Sequence, residues 1–489
     1  MKKKIIYSLV LTATILTMGG CKKFLDVNTD PNNPLQAPES LILPPVIVDV
    51  STVVAGGSFS VQNTSGIAEI TSYWMQQISL NQPLPQFESY KFTTGDGEYS
   101  FGDIYYNLMQ NIKRMGDVAK ANNDHSYGVI SKVLMAYSIG VTTDMWGDVA
   151  YSEAFDGNLH AKYDKQEDIY TAIQAMLDSA IAENQLDPGL SVPGDDDFLF
   201  HGDMSKWEKF AYALKARHYI HLTKAPGHDA VTQSNLALAA LDHAFTGTDD
   251  EATANFYTGS AGQETPWYKN TELAQGGVVL GATLIDSLIA RSDPRLPIIA
   301  NKGSQDSYLG RISTSDVVPD VTIYSTLGYS LGGADINDVI TTGASAPIAI
   351  LPYSELEFIK AEATFRVSGA AAAQPIYQQA ITDNMVKLGL SASDPNVTAY
   401  LAARGTLTDG NALQRIMEEK SIADLLSIEN FNDWRRTGYP NLTIVANPEA
   451  GITTIPRRFQ FGTQEVTSNP QPENTNVKIT DRVWWDAAP

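Results

Sequence analysis

Apolar residues recur at helical spacing through much of the chain. Phe101, Ile104, Tyr105, Leu108, Ile112, Met115 and Ala119 form one stripe; Val129, Val133, Leu134 and Tyr137 resume it after a short polar turn. This period predicts amphipathic helices packed on a core. Ile169, Tyr170, Ile173, Met176, Leu177 and Ile181 predict another helix, stopped by Asp187-Pro188-Gly189. Ser205 and Glu208 have capping-box spacing ahead of Phe210 and Leu214, and Leu236, Ala240, Leu241 and Phe245 follow up to Gly247. The clearest helix pair is 353–389. Ser354 and Glu357 repeat the capping-box pattern, Tyr353 and Phe358 stand at staple positions, and Gly369 closes the first helix. Ile376, Tyr377, Ala380, Ile381, Met385 and Leu388 run on to Gly389. A pair of this length has the size of a tetratricopeptide repeat of about 34 residues.

Between residues 410 and 440 the apolar face changes. Leu413, Ile416 and Met417 lie on one side; Ile422, Leu425 and Leu426 lie on the other. The expectation is one helix covered on two sides, placed between two layers and stopped by Gly438 and Pro440. Its end carries Trp434, Arg435 and Arg436, read as a structural corner of stacked and carboxylate-paired guanidinium groups.

Two stretches, Gly247–Gly277 and Pro297–Pro347, show no regular period and are rich in Gly, Ser, Thr, Asn and Asp. Long aperiodic loops are functional or disordered, and Phe256, Tyr257, Trp267, Tyr268, Tyr308, Tyr324 and Tyr329 argue against disorder. Rings beside amides suit a neutral glycan: the sugar's C–H face stacks, and the amides satisfy its hydroxyls. The competing reading makes each ring a pin that fixes its loop to the scaffold. Trp267, behind Pro266, is the first ligand candidate, expected on a rigid exposed turn, with Tyr268, Tyr308 and Tyr329 beside it. Trp74, Gln77 and Asn81 form a second set near a helix end, where Trp74 suits the core equally well.

Signals for chemistry are poor. There is no G-x-S-x-G elbow, no H-E-x-x-H helix and no phosphate-cradling loop. His218 and His221 read as helix-face residues without a third metal ligand. Asp26, Asn28 and Asp30 begin like a calcium loop, but Pro31 stands where glycine is needed. Asp96 and Glu98 read as solvated turn carboxylates. No enzyme, metal or cofactor is expected. A formal charge of −22 disfavours nucleic acid and strongly anionic ligands.

At the start, Lys2, Lys3 and Lys4 precede an apolar run, Ile5–Gly19. It is shorter than the ~20 residues of a membrane-spanning helix. Small residues then precede Cys21, the only cysteine. Residues 1–20 read as a signal peptide and Cys21 as a lipid-acylated anchor, despite Met18 in place of the usual Leu. The rest, 21–489, reads as one domain with an extended tether over about 22–45.

Several segments, taken in order, carry a family resemblance. They are CKKFLDVNTDPNNP (Cys21–Pro34), DMWGDVAYSEAF (Asp144–Phe155), DPRLP (Asp293–Pro297), LEFIKAEATFR (Leu356–Arg366), FNDWRRTGYP (Phe431–Pro440), IPRRFQFGTQEVTSNP (Ile455–Pro470) and VWWD (Val483–Asp486). With them the chain resembles the SusD/RagB family of outer-membrane nutrient-binding lipoproteins, in its SusD-like branch. The resemblance implies a mainly α fold: a tetratricopeptide-like, right-handed paired-helix scaffold with a loop-rich irregular portion packed against it. It implies capture of oligosaccharide outside the cell and delivery to a SusC-like TonB-dependent transporter in the outer membrane, without catalysis. Peptide capture within the same family is the alternative. A lipid-anchored glycoside hydrolase would need two carboxylates about 5–10 Å apart across a cleft.

Overall fold

The computed structural model describes residues 37–56, 66–80, 87–272, 278–315, 320–328 and 341–488. The fold is mainly α. Helices α1 (Glu39–Asp49), α2 (Ile67–Trp74) and α3 (Thr94–Gly102) lead into a π-helical segment, Asp103–Met109, which continues without a break into α4 (Gln110–Asn122). Next come α5 (His125–Trp146), α6 (Gln166–Glu183), α7 (Met204–His221) and α8 (Ala230–Leu241). Each packs on its sequence neighbour from α4 to α8. This is the paired-helix array expected from the apolar stripes.

The central member is α5. Almost every residue from Ser126 to Trp146 is buried, so it has no solvent face. Some of its hydroxyls are satisfied inside the helix, Ser138 Oγ donating to Leu134 O and Thr142 Oγ1 to Ser138 O, and others by neighbours, Ser131 Oγ donating to Ile112 O on α4.

The irregular portion contains α9 (Pro266–Glu272) and α10 (Ala282–Ala290). Among the described residues, the strands form two-stranded antiparallel ladders. Strand β1 (Ile78–Leu80) pairs with β5 (Val278–Leu280), and β2 (Val149–Ala150) with β3 (Tyr163–Asp164). Strand β4 (Ala252–Ala254) pairs with β8 (Ile348–Leu351), and β6 (Ala300–Asn301) with β7 (Thr326–Leu327). The β4–β8 ladder ties the loops to α11 (Tyr353–Ser368), which forms the long hairpin with α12 (Ala370–Lys387). After α13 (Pro395–Arg404), the chain runs through α14 (Ala412–Ala423), α15 (Ile428–Thr437) and α16 (Thr463–Ser468).

Four expectations need correction. The 410–440 stretch is two helices, broken at Asp424–Ser427, where Leu426 takes a left-handed φ of 67°. The change of apolar face marks this break. Ile416 and Met417 join a second core with Tyr377, Ile381 and Tyr400, whereas Ile422, Leu426 and Phe431 join the main core. The stretch therefore does lie between two layers. Neither capping box forms. Asp203 caps α7 by accepting from Ser205 N at 3.0 Å, and Glu208 instead accepts from Asn184. In α11, Tyr353 N donates to the distant Glu251 at 3.0 Å, and Ser354 Oγ is buried without a partner. Residues 39–45, expected within the tether, belong to α1, which buries Leu43, Val46 and Ile47; residues 22–36 lie outside the described residues. Asp96 is the acid of a capping box with Thr93 rather than a simple turn carboxylate.

The arginine corner is structural, with different pairs from those expected. Arg435 lies between the rings of Phe431 and Trp485, 4.2 and 4.5 Å from their centroids, while Trp434 stacks on Arg457. Arg436 is forked between Glu362 and Asp433. Burial alone would raise the Glu362 carboxyl, but Arg436 and Arg366 outweigh it and hold it at about 2.

Candidate ligand-binding site

A groove of about 530 Å³ opens where the π-helical segment, the turn after β2 and α16 meet. That volume is within the range of small-molecule sites, about 300–1,000 Å³. The π-helical segment supplies Tyr105 and Tyr106. A π turn holds one residue more than an α turn and displaces side chains from the regular stripe. Tyr106, next to the core-facing stripe residue Tyr105, is 62% exposed at the groove wall.

Tyr105 is fixed by its neighbours. Its hydroxyl donates to Ala150 O at 2.6 Å, and its ring stacks on Phe155 at 6.2 Å and 27°. Burial first, then the Glu465 carboxylate, push both tyrosine phenols above their ordinary value, so they remain neutral donors. Phe155 rides on the turn 151–157. That turn is pinned by Asp164, which accepts from Tyr151 N at 3.0 Å and Ser152 N at 2.7 Å. Gln110, Asn158 and Gln464 add amides around the rings. Asn158 is held in place, donating to Glu153 and accepting from His160 N.

The groove combines ring faces with amide hydrogen-bonding groups. Among the described residues that line it, Glu465 is the one carboxylate, and it already accepts from Tyr163 and Asn469. The second carboxylate that glycoside hydrolysis requires does not line the groove.

The ligand candidates read from the sequence lie elsewhere. Trp74 is fully buried among Phe92, Phe431 and Phe459, with centroids 5.1–5.8 Å away. Gln77 is buried too: it donates to Ser421 O and accepts from Leu426 N, securing the α14–α15 break. Trp267 is 3% exposed and belongs to the main core; the expected exposed turn is instead the first residue pair of α9. Thr265 N donates to Ala344 O just before it, drawing the two loop stretches together. Tyr268 is buried against Ala344. Tyr308 is half-buried, with Lys302 Nζ 5.8 Å from its ring. Tyr257 and Tyr324 are buried as well. For these rings the pinning role holds, because a loop without periodic apolar positions needs isolated large side chains to attach it to the scaffold. Asn81, Tyr329 and Cys21 lie outside the described residues.

His218 and His221 are core groups. Burial holds the His218 imidazole down at about 4. Burial would also lower His221, but Glu429 and Asp144 outweigh it and raise it to about 9. Among the described residues, no cluster of three His, Cys, Asp or Glu is arranged to hold a metal ion.

A family model, SusD-like and described as "Starch-binding associating with outer membrane", matches residues 48–462. The chain belongs to the SusD-like family. Its fold is similar to that of a solved chitin-binding protein at 23% identity and a TM-score of 0.72, covering 86% of this chain and 94% of that one. A SusD homologue from Bacteroides fragilis aligns at 19% identity and a TM-score of 0.75, covering 92% of this chain and all of the other. A chitin-binding SusD homologue from Flavobacterium johnsoniae aligns at 20% and 0.74, covering 92% and 98%. No curated protein matches the chain. SusD-like proteins are binding proteins associated with the outer membrane, and no catalytic family is indicated. No helix among the described residues is long and apolar enough to cross a membrane.

Two groove signals were present in the sequence. Tyr106 is an aromatic residue just off an amphipathic stripe, and Phe155 ends the family segment Asp144–Phe155. The groove itself joins residues more than 300 positions apart, such as Tyr106 and Gln464, and no local pattern carries that pairing.

Proposed function

We propose that this SusD-like protein is a surface glycan-binding lipoprotein. It captures oligosaccharide in the groove of Tyr105, Tyr106 and Phe155 and passes it to a SusC-like TonB-dependent transporter. The observation that carries this reading is a preformed groove in which ring faces stand beside amides and no free acid/base pair. Sugar C–H faces stack on such rings, and amides serve the hydroxyls. Trp74, Gln77, Trp267, Tyr268 and Tyr308 hold the fold together away from the groove. Cys21 carries the lipid, and the protein faces the cell exterior. Among the described residues that line it, the groove presents no long strand edge, the feature that commonly captures extended peptides, and this favours glycan over peptide.

Calorimetric titration with maltooligosaccharides and chitooligosaccharides tests the reading. Binding that Tyr106→Ala weakens supports it. Absence of binding to every oligosaccharide, with peptide binding in its place, overturns it. Affinity capture from membranes should bring down a large β-barrel partner, and Cys21→Ala should release the protein into the soluble fraction. An unaltered membrane pool of Cys21→Ala would disprove the anchor.

A further inference from the structure

Across the turn 151–157 from the groove lies a second cleft, of about 590 Å³. Phe155 lines both. The turn is thus a partition: Ala154 and Gly157 face the first chamber, and Tyr151, Ser152 and Asp156 the second. The far wall is built by α4, α5 and α6.

Its floor lies where the helices pack closely. Gly116 in the middle of α4 and Gly128 in the first turn of α5 leave room for side chains of the neighbouring helix. A Cβ at Gly116 would come within 2.5 Å of Ser131 Oγ, and one at Gly128 within 2.7 Å of Glu183 Oε1. Met135 and Met176 give the cleft an apolar base, and Tyr151 and Phe155 add ring surface. The rim carries Lys113, Lys120 and Lys132 against Asp117, Asp156 and Glu183. Lys113 pairs with Asp117 at 2.7 Å, and Lys132 pairs with Glu183.

The charges decide the ligand class. Three cations face three anions, in a protein whose formal charge is −22. A site for an anionic chain would show excess Lys or Arg, and a site for a cationic chain excess acid. The first chamber carries no Lys or Arg and one engaged carboxylate. Both chambers therefore fit an uncharged chain whose hydroxyls bond to fixed polar pairs and whose apolar faces lie on rings and methionines.

We infer that the two chambers form one extended site for a neutral oligosaccharide chain that crosses Phe155. This rests on the glycan-binding reading of the first chamber. It adds that the ligand is a chain spanning both chambers rather than a terminal mono- or disaccharide.

The test is chain-length dependence. The full-length protein is titrated with neutral oligosaccharides of two to seven units from the series that binds. Affinity should rise about tenfold or more between the shortest and the longest, because each end contributes contacts. The exposed pair Lys113→Ala/Asp117→Ala should weaken the longest chain about threefold to tenfold and leave the disaccharide unchanged. Tyr106→Ala should weaken every length. Affinity that stops rising at the disaccharide, or a paired variant that binds the longest chain normally, overturns the extended site while leaving the first chamber intact. Failure of every length to bind removes the glycan reading and the extended site together.

Discussion

The arginine corner and the groove both set aromatic rings beside polar groups and do opposite things with them. In the corner, Arg435, Arg436, Glu362 and Asp433 are buried, and apart from the two arginine Nε groups their polar side-chain atoms have fixed partners. In the groove, Tyr106, Asn158 and Gln464 keep solvent-facing surface over a base that other contacts secure. A buried ion pair is costly to break because the partner left behind has no water. A half-solvated ring loses little when removed. The same kind of substitution should therefore register as stability in one region and as affinity in the other.

Two substitutions test the stability side most severely. Arg436→Ala should cost about 3 kcal/mol in denaturant melts, since it takes one of two cationic partners from each of the buried carboxylates Glu362 and Asp433, leaving Arg366 and Lys420. Trp267→Ala should cost a similar ~3–5 kcal/mol because its ring is core. Should either variant melt normally while glycan affinity collapses, the division between the regions fails at that residue.

On the binding side, Tyr106→Ala should change stability by no more than about 0.5 kcal/mol. A lost stacking contact of about 0.5–1.5 kcal/mol weakens binding roughly threefold to tenfold at one subsite. A large fall in melting temperature would move Tyr106 to the structural side.

A further effect depends on pH and lies where α1 meets the start of the π-helical segment. Burial, then Asp103 at the start of the π-helical segment, raises the Asp49 carboxyl from 3.8 to about 6. A carboxyl raised in the folded state favours folding while protonated, below its unfolded value. That advantage disappears as pH rises through about 6. Asp49→Asn should therefore stabilise the protein at pH 8, by about 1–2 kcal/mol after allowance for partial exposure, and by almost nothing at pH 4. Equal melting shifts at both pH values would show that Asp49 does not titrate this way.

Much of the scaffold was legible because helix stripes are local. Phe101 to Ala119, Val129 to Tyr137 and the 353–389 pair need only the 3.6-residue period. Helix caps were less legible: Ser205 and Ser354 had the right spacing, but Asp203 and the distant Glu251 took the backbone donors. The ligand site was largely illegible. Composition drew attention to Trp267 and Tyr268, whose polar loops hide the core they reach. It passed over Tyr106, whose placement depends on how the helix winds, and Gln464, which meets it only in the folded chain.

The π-helical segment lets one residue of chain length act on the groove alone. A π turn carries one residue more than an α turn over the same winding. Deleting one residue between Asp103 and Met109 would let the segment wind as ordinary α-helix, with α3 and α4 kept in nearly the same phase. Phe101 would keep its ring contacts with Trp146 at 5.3 Å and Phe461 at 5.6 Å. Tyr105 and Tyr106, which the wide turn carries, would be the residues displaced. The shortened chain would retain its scaffold and lose the ring wall of the groove.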